Sequence, residues 1–402
     1  MKPKSFMLIA GEASGDMLAA ELVHALREEI AHAEAVPTND LQPLRTGLAP
    51  RFFGAGGPRM AAAGVELAFD LTAHSVIGLD MLRHYFKFRG LFNRLVQLAI
   101  EREPAVIICV DFQLFNRLFA HAIKEYVRAH RGWFHDWDPK IVQYVSPQVW
   151  ASREGRADQL ARDCDLLLSI IPFEKEWYAR RTPNLRVEFV GNPIVDRYGS
   201  FERRVRNAEF TAGPSSPTVL LLPGSRAGEL ARHLPVMLGA LTILRANMFG
   251  LRARMIIPKE SLLQQTRSAG LPEDLQVQVG GLPEALAQAD VAIAKTGTVA
   301  TECAFFRVPT VTLYKVSWHT YQYGKRIIKV KYLTLPNLLA NEEVFPEFIQ
   351  NAATAENIAK AALDLLRDQN RRAKIKARLA DIVASLGGSG ASRRAARAIR
   401  DL

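Results

Sequence analysis

Cysteine is scarce in this chain: Cys109, Cys164 and Cys303 are the whole supply among 402 residues, far apart and odd in number. No CxxC or zinc-type spacing occurs, which argues against a disulfide framework or a zinc module and fits a reduced, cytosolic compartment. Long apolar runs are missing too, and none approaches the length needed to cross a bilayer. The stretch Phe6 to Ala10 stands behind Lys2 and Lys4 but meets Glu12 almost at once. It therefore reads as a first buried strand and not as a signal peptide. Any membrane contact is expected to be peripheral. No internal repeat and no low-complexity tract is found, which sets aside solenoids and disordered tails. Acidic residues are the minority, 41 against 52 Lys and Arg, for a net charge of +11. That balance favours an anionic partner (nucleic acid, a phosphorylated metabolite or an acidic membrane surface) or reflects a basic host proteome, and it does not choose among them.

What is present is the composition of a globular protein, 49% hydrophobic and 23% charged. Short apolar runs at 6–10, 106–110, 141–145, 166–170 and 187–190 alternate with amphipathic stretches such as 17–30 and 91–102. This rhythm predicts a parallel sheet covered by helices on both faces. It breaks at Gly191-Asn192-Pro193 and at Thr211 to Pro217, then restarts with runs at 219–222, 255–257, 277–279, 291–294 and 310–313. The fold class expected is α/β, with two Rossmann-like doubly wound domains. Residues 1–192 form the first, 193–217 a hinge and linker, and 218–365 the second. Residues 366–402 are helices that pack back on the first domain or on a partner subunit. The segment Ala31 to Pro50, with three prolines, reads as a surface excursion.

Several strand exits carry residues suited to chemistry. Leu222-Pro223-Gly224-Ser225-Arg226 ends a strand and opens a helix. A tight Gly turn there frees backbone N–H groups for an anion, and Arg226 adds a fork of donors that fits phosphate. An ordinary junction with a surface Arg is the alternative. Ala294-Lys295-Thr296-Gly297-Thr298 repeats the pattern, and Glu302 shares a helix face with Thr298. Its carboxylate could accept from ribose hydroxyls, or simply be satisfied within a capped helix. Gly11-Glu12-Ala13-Ser14-Gly15-Asp16 has the wrong glycine spacing for GxGxxG. Its carboxylates suit hydroxyls better than pyrophosphate, so Glu12, Ser14 and Asp16 are sugar-contact candidates, with a plain turn as the alternative. Asp111 directly follows a buried strand, where partial burial could raise its pKa toward that of a useful base, or it caps the next helix. Ser146 and Gln148, in Tyr144 to Trp150, leave another strand and suit sugar recognition.

Two Asp-x-Asp matches, Asp136 to Asp138 and Asp163 to Asp165, precede strands instead of following them, so they read as solvated turn acids. No catalytic metal and no cofactor are expected. Two stretches are basic and aromatic. One holds Met81, Leu82, Tyr85, Phe86, Phe88 and Phe92; the other, Cys303 to Asn341, contains no acid at all. Both fit anionic lipid, RNA through stacking and phosphate contacts, or a buried helix with snorkelling cations.

Taken together, the strings AGEASGD, GAGGPRM, YVSPQVW, PFEKEWY, FVGNPIVD, LLPGSR, TGTVATEC and YLTLPNLLANEEVFPEFIQ stand in the order known for lipid A disaccharide synthases. The chain resembles that family from about residue 6 to residue 350. The resemblance implies a GT-B architecture of two domains facing a cleft. It implies an inverting transfer from UDP-2,3-diacylglucosamine to 2,3-diacylglucosamine 1-phosphate (lipid X), giving a β-1,6-linked disaccharide phosphate and UDP. It also implies a cytoplasmic protein associated with the inner membrane of Gram-negative bacteria, with no nucleic-acid partner. The family can form dimers, so a homodimer is a further expectation. The family's important aspartate falls on Asp111 and its essential arginine on Arg226. Gly224, Ser225, Thr296, Gly297, Thr298 and Glu302 become candidates for the UDP site. So does Asn337, in the family's Pro-Asn-Leu-Leu element; the later Glu and Gln fall on Glu347 and Gln350. Departures are Leu114, where a second acid is frequent, Ser152 in place of a Trp, and Thr296 in place of a Ser. The rivals are another GT-B enzyme using UDP-N-acetylglucosamine, a UDP-sugar epimerase, and an RNA-binding protein.

Overall fold

The protein is described by a computed structural model covering residues 4–35, 49–74, 85–133, 135–207 and 216–402. Two compact units emerge, one of Met1–Pro193 with Gly387–Leu402, the other of Ile194–Leu386. The first holds strands β1 (Ser5–Ala10), β2 (Arg51–Gly56), β3 (Glu66–Asp70), β4 (Val106–Val110), β5 (Lys140–Tyr144), β6 (Leu166–Ser169) and β7 (Val187–Phe189). The second holds β8 (Thr218–Leu222), β9 (Arg252–Ile257), β10 (Gln276–Val279), β11 (Val291–Lys295), β12 (Thr310–Tyr314) and β13 (Glu347–Ile349). The sheet orders are β3-β2-β1-β4-β5-β6-β7 and β10-β9-β8-β11-β12-β13. Every pairing between these strands is parallel.

Unbroken apolar runs make these strands because both sheet faces are covered. Side chains alternate between two layers of core. Phe6, Leu8, Val106, Ile108 and Val110 face the layer under the helix Ala13–Ala35. Met7, Ile9, Ile107 and Cys109 face the opposite layer, with Phe115, Phe119 and Ile123 of the helix Gln113–His130. The second unit repeats the arrangement, with Val219, Leu221, Val291 and Ile293 on one side and Leu220, Leu222, Ala292 and Ala294 on the other.

The structure differs from the sequence reading at the junctions. Residues 193–217 were expected to be a linker, but the helix Ile194–Asn207 begins there. Its Ile194, Val195 and Tyr198 pack with Phe305, Phe306 and Leu386, so it belongs to the second unit. The C-terminal helices divide between the units. Ala355–Arg367 and Gln369–Ser385 stay with the second, whereas Ala391–Arg400 returns to the first. There Ala395, Ala396, Ala398 and Ile399 enter the core against the first helix. Glu29 of that helix is buried, and three arginines of the returning helix face it: Arg400 at 3.0 Å, Arg397 at 3.5 Å and Arg393 at 4.0 Å. The first helix covers the start of the Ala31 to Pro50 segment as far as Ala35; residues 36–48 lie outside the described residues.

Candidate functional site at two topological switch points

Each sheet reverses its winding direction at one place. β1 and β4 are neighbours in the first sheet, as are β8 and β11 in the second, and their onward connections leave in opposite directions. Ligands of doubly wound folds collect outside the carboxyl ends of such pairs. Four of the segments singled out in the sequence follow these four strands: Gly11–Asp16, Asp111, Pro223–Arg226 and Thr296–Thr298.

At the first switch point, Asp111 sits on unusual backbone. Its φ is 50° and that of Phe112 is 45°. Two successive residues in the left-handed region are costly for side chains with a Cβ. The Phe112 ring fills the space above Gly11, where a Cβ would lie 2.3 Å from a ring carbon, so the β1 loop needs glycine there. Gly15 approaches from the same loop, and a Cβ on it would lie 3.7 Å from Cβ of Asp111. Glu12 is half-buried and Ser14 exposed beside this turn.

Asp16 has another task. Its buried carboxylate accepts from the N–H groups of Gly57 at 2.8 Å, Met60 at 3.0 Å and Arg59 at 3.0 Å. It thus caps the short helix Pro58–Ala62, and the sugar-contact expectation for Asp16 gives way to this structural one. Ser146 is also internal. Its hydroxyl lies 3.4 Å from that of Tyr178, within a polar cluster around Glu174. The fully buried Glu174 carboxylate accepts from Trp150 Nε1 at 2.9 Å and Ser169 Oγ at 2.5 Å. Burial pushes this carboxyl up to about 7, against the opposing pull of those hydrogen bonds. Gln148 stays exposed.

At the second switch point, Gly224 adopts a φ of 128° and opens the turn before the helix Ala227–Asn247. Glu229, in the first turn of that helix, folds back into it. Its Oε2 accepts from Ser225 N–H at 3.1 Å, and its Oε1 lies 2.9 Å from Lys295 Nζ and 3.5 Å from Arg226 Nη1. Burial acts to raise the Glu229 carboxyl, but Lys295, Ser225 and Arg226 together lower it below the usual range. Two cations thus converge on one carboxylate, to which the Ser225 N–H also points. Below them, His233 is fully buried. Its Nε2 accepts from Lys315 N–H at 3.1 Å, so Nδ1 carries the proton and donates to Pro223 O at 2.9 Å. Burial pushes this imidazole below its ordinary value, which keeps it neutral as a brace between the exits of β8 and β12. Thr296 is buried, while Gly297, with φ 132°, and Thr298 are exposed at the adjoining turn.

Two other candidates are engaged elsewhere. Glu302 Oε1 accepts from Tyr198 Oη at 2.8 Å, and burial raises its carboxyl. Asn337 is fully buried; it donates to Phe345 O and Glu347 Oε1 and accepts from the N–H groups of Val344 and Phe345. Its amide is saturated by the loop it ties together, so the UDP-contact expectation for Asn337 is replaced by a structural role. Glu347 joins that bracket through Leu333 and Thr334 N–H, and Gln350 bonds both the N–H and C=O of Val316.

Of the expected membrane contacts, Met81 and Leu82 lie outside the described residues, as do the side chains of Tyr85 and Phe86. Phe92 meets Phe115 and Phe119 edge-on and, like Phe88, packs against the core, because the period of the helix Tyr85–Arg102 turns them inward. Among the described residues, the exposed large apolar side chains are instead Leu114 and Leu118, one turn apart just after Asp111, together with Trp133, Phe249, Trp318, Tyr323 and Ile328. The helix Trp318–Ile327 buries none of its residues. Among the described residues, no helix is long and apolar enough to cross a membrane. The acids read as solvated turn residues are partnered, and Asp163 is instead buried at the end of the helix Arg156–Asp163: Asp163 pairs with His121 and Arg128, Asp165 with Lys124 and Lys140, Asp138 with Lys124.

Glu229, His233, Gln143 and Asn116 escaped the motif reading, whereas Lys295 and Glu174 stood inside quoted segments without a role. Only Glu229 left a signal, an acid at the third position of a helix that starts with a Gly turn.

A family profile described as lipid-A-disaccharide synthetase matches residues 6–400. The chain is 35% identical to the lipid-A-disaccharide synthase of Geobacter metallireducens, over 99% of this chain and 97% of that one. It is 34% identical to that of Myxococcus xanthus, over 100% and 98%. Among solved structures, it is similar to a putative UDP-N-acetylglucosamine 2-epimerase from Listeria monocytogenes, with a TM-score of 0.65 at 12% identity, covering 100% of this chain and 97% of that one. MurG of Acinetobacter baumannii gives a TM-score of 0.53 at 13% identity, with 100% of both chains covered. These distant likenesses show the two-domain GT-B fold. The match along nearly the whole chain shows more: the protein belongs to the lipid-A-disaccharide synthase family.

Proposed function

We infer that this hexosyltransferase joins UDP-2,3-diacylglucosamine to lipid X, with the acceptor activated at the first switch point and the diphosphate held at the second. The observation that carries this reading is the convergence of Ser225 N–H, Arg226 and Lys295 on a single anionic position, now taken by the Glu229 carboxylate. A diphosphate carries charge of the same sign and offers more acceptors. Asp111 removes the proton from the acceptor's 6-hydroxyl as that oxygen attacks the anomeric carbon. The new C–O bond forms on the face opposite the departing UDP, whose bond to the sugar breaks. Arg226 and Lys295 stabilise the charge that builds on the leaving diphosphate. Thr298 and Gly297 line the adjoining turn, and Glu12, Ser14 and Gln148 remain the sugar-contact candidates.

The acyl chains are assigned to the exposed Leu114 and Leu118, beside the proposed base. Peripheral contact with an anionic inner-membrane surface is assigned to the helix Trp318–Ile327, with Lys325, Arg326 and the following Lys329 and Lys331. A solved MnaA from S. aureus, of the same fold, carries UDP in its co-structure, which supports a nucleotide-sugar donor here.

The test is turnover with labelled lipid X and UDP-2,3-diacylglucosamine, run beside UDP-N-acetylglucosamine. A disaccharide phosphate from the acylated donor alone is expected. Asp111→Asn should retain UDP binding and lose turnover, and near-normal turnover removes the base assignment. Conversion of a UDP-sugar without any acceptor would favour an epimerase.

A further inference from the structure

We infer that Gln143 and Asn116 are positioning residues that hold Asp111 in its working conformation. The inference rests on the reading of Asp111 as the acceptor's base. Asp111, Phe112 and Val145 all have positive φ, at 50°, 45° and 68°. None is glycine, and Val145 is β-branched, the type least tolerant of that region. Such conformations persist only where the surroundings over-determine them, and here the surroundings are two side-chain amides. Asn116 Nδ2 donates to Asp111 O at 2.8 Å and to Val110 O at 3.3 Å. Gln143 Nε2 lies 3.4 Å from Asp111 O, 3.5 Å from Tyr144 O and 3.3 Å from Val145 O. The Asp111 N–H donates to Tyr144 O at 2.9 Å, which completes the link between the exits of β4 and β5.

Both amides are buried, Asn116 at 0% exposure and Gln143 at 2%. The Asn116 Oδ1 is buried without a hydrogen-bond partner. A buried acceptor left unsatisfied is costly, and a side chain chosen for stability alone would not leave one. The residue is explained by its donors, which fix the peptide that carries Asp111. Gln143 belongs to β5 and Asn116 to the helix Gln113–His130, so two independent elements grip the same carbonyl.

The experiment is a double-mutant cycle on the full chain. Asn116→Leu and Gln143→Met are each measured alone and combined with Asp111→Asn, by turnover on lipid X and by UDP binding. Each single variant should lower kcat by about a hundredfold, the scale of an ångström-sized misplacement, with KM for lipid X and UDP affinity within about twofold. In the Asp111→Asn background neither should lower kcat further, because the group it positions is already gone. Gln143→Met, an apolar near-isostere, serves if Asn116→Leu does not fold. Unchanged kcat in the single variants overturns the positioning role alone. So does an equal loss with and without Asp111. Near-normal turnover in Asp111→Asn by itself overturns the base reading and this inference together.

Discussion

Glu174 gives the sharpest physical prediction. An ordinary glutamate titrates near 4.5, and burial pushes this one up to about 7. The folded protein therefore keeps a proton that the unfolded chain releases between those values. The sign follows from linkage: the contribution of Glu174 to stability is complete below about pH 4.5 and is lost as pH rises through about 7. At about 1.4 kcal/mol per factor of ten in proton affinity, the loss amounts to roughly 3 kcal/mol by pH 8. Glu174→Gln should abolish it. The amide oxygen still accepts from Trp150 Nε1, and the amide nitrogen can donate to Ser169 Oγ once that hydroxyl turns its own proton from Glu174 to Ile171 O, 2.8 Å away. Urea unfolding followed by tryptophan fluorescence reports mainly on this unit, since four of the five tryptophans, Trp133, Trp137, Trp150 and Trp177, lie in it. The variant should match the wild type at pH 4.5 and exceed it by up to about 3 kcal/mol at pH 8. Parallel stability curves for the two proteins from pH 4.5 to 8 would refute the reasoning.

Three further outcomes follow from the same geometry. Lys295→Met should weaken UDP binding about tenfold, the worth of one charged hydrogen bond, and leave uridine binding unchanged; equal effects on both ligands would place Lys295 away from the diphosphate. Asp16→Ala strips three N–H groups of their acceptor and should destabilise the protein by about 2–4 kcal/mol in thermal or urea unfolding, whereas a change in lipid X affinity without loss of stability would restore the sugar-contact role. Gly11→Ala drives a methyl into the Phe112 ring and should lower turnover while sparing UDP binding. Combining it with Phe112→Ala should recover stability, and failure to do so would point to a different clash.

The layered fold was readable because short, β-branched apolar runs such as Val106-Ile107-Ile108-Cys109-Val110 suit strands of a sheet covered on both faces. Asp111 and the turn at Gly224 do follow strands, β4 and β8, as the apolar runs before them indicated. Polar roles were less readable, since Asp16 and Asn337 look like ligand-binding residues until their partners are known. Those partners lie far along the chain for Asp16, at Gly57 to Met60, and in a neighbouring loop for Asn337. Phe92 misled for a related reason. Cations beside it suggested an exposed surface, yet helical period puts the ring inward while Arg89 and Arg94 stay outside. Gln143 and Asn116 gave no signal at all, because a buried amide that grips a distant carbonyl has no local pattern.

The last helix has a consequence for how the protein is made. Gly387 passes so close to Gly191 that a Cβ on it would lie 3.1 Å from the Gly191 Cα, and Lys4 Nζ lies 3.4 Å from Arg400 O. The second unit is therefore an insertion whose entry and exit meet, and Lys4 and Arg400 meet within the first. On a ribosome that feeds the chain out from its N-terminus, the unit that begins first must wait with one wall of its core open. It closes only when residues 391–400 arrive, after the whole second unit has been synthesised.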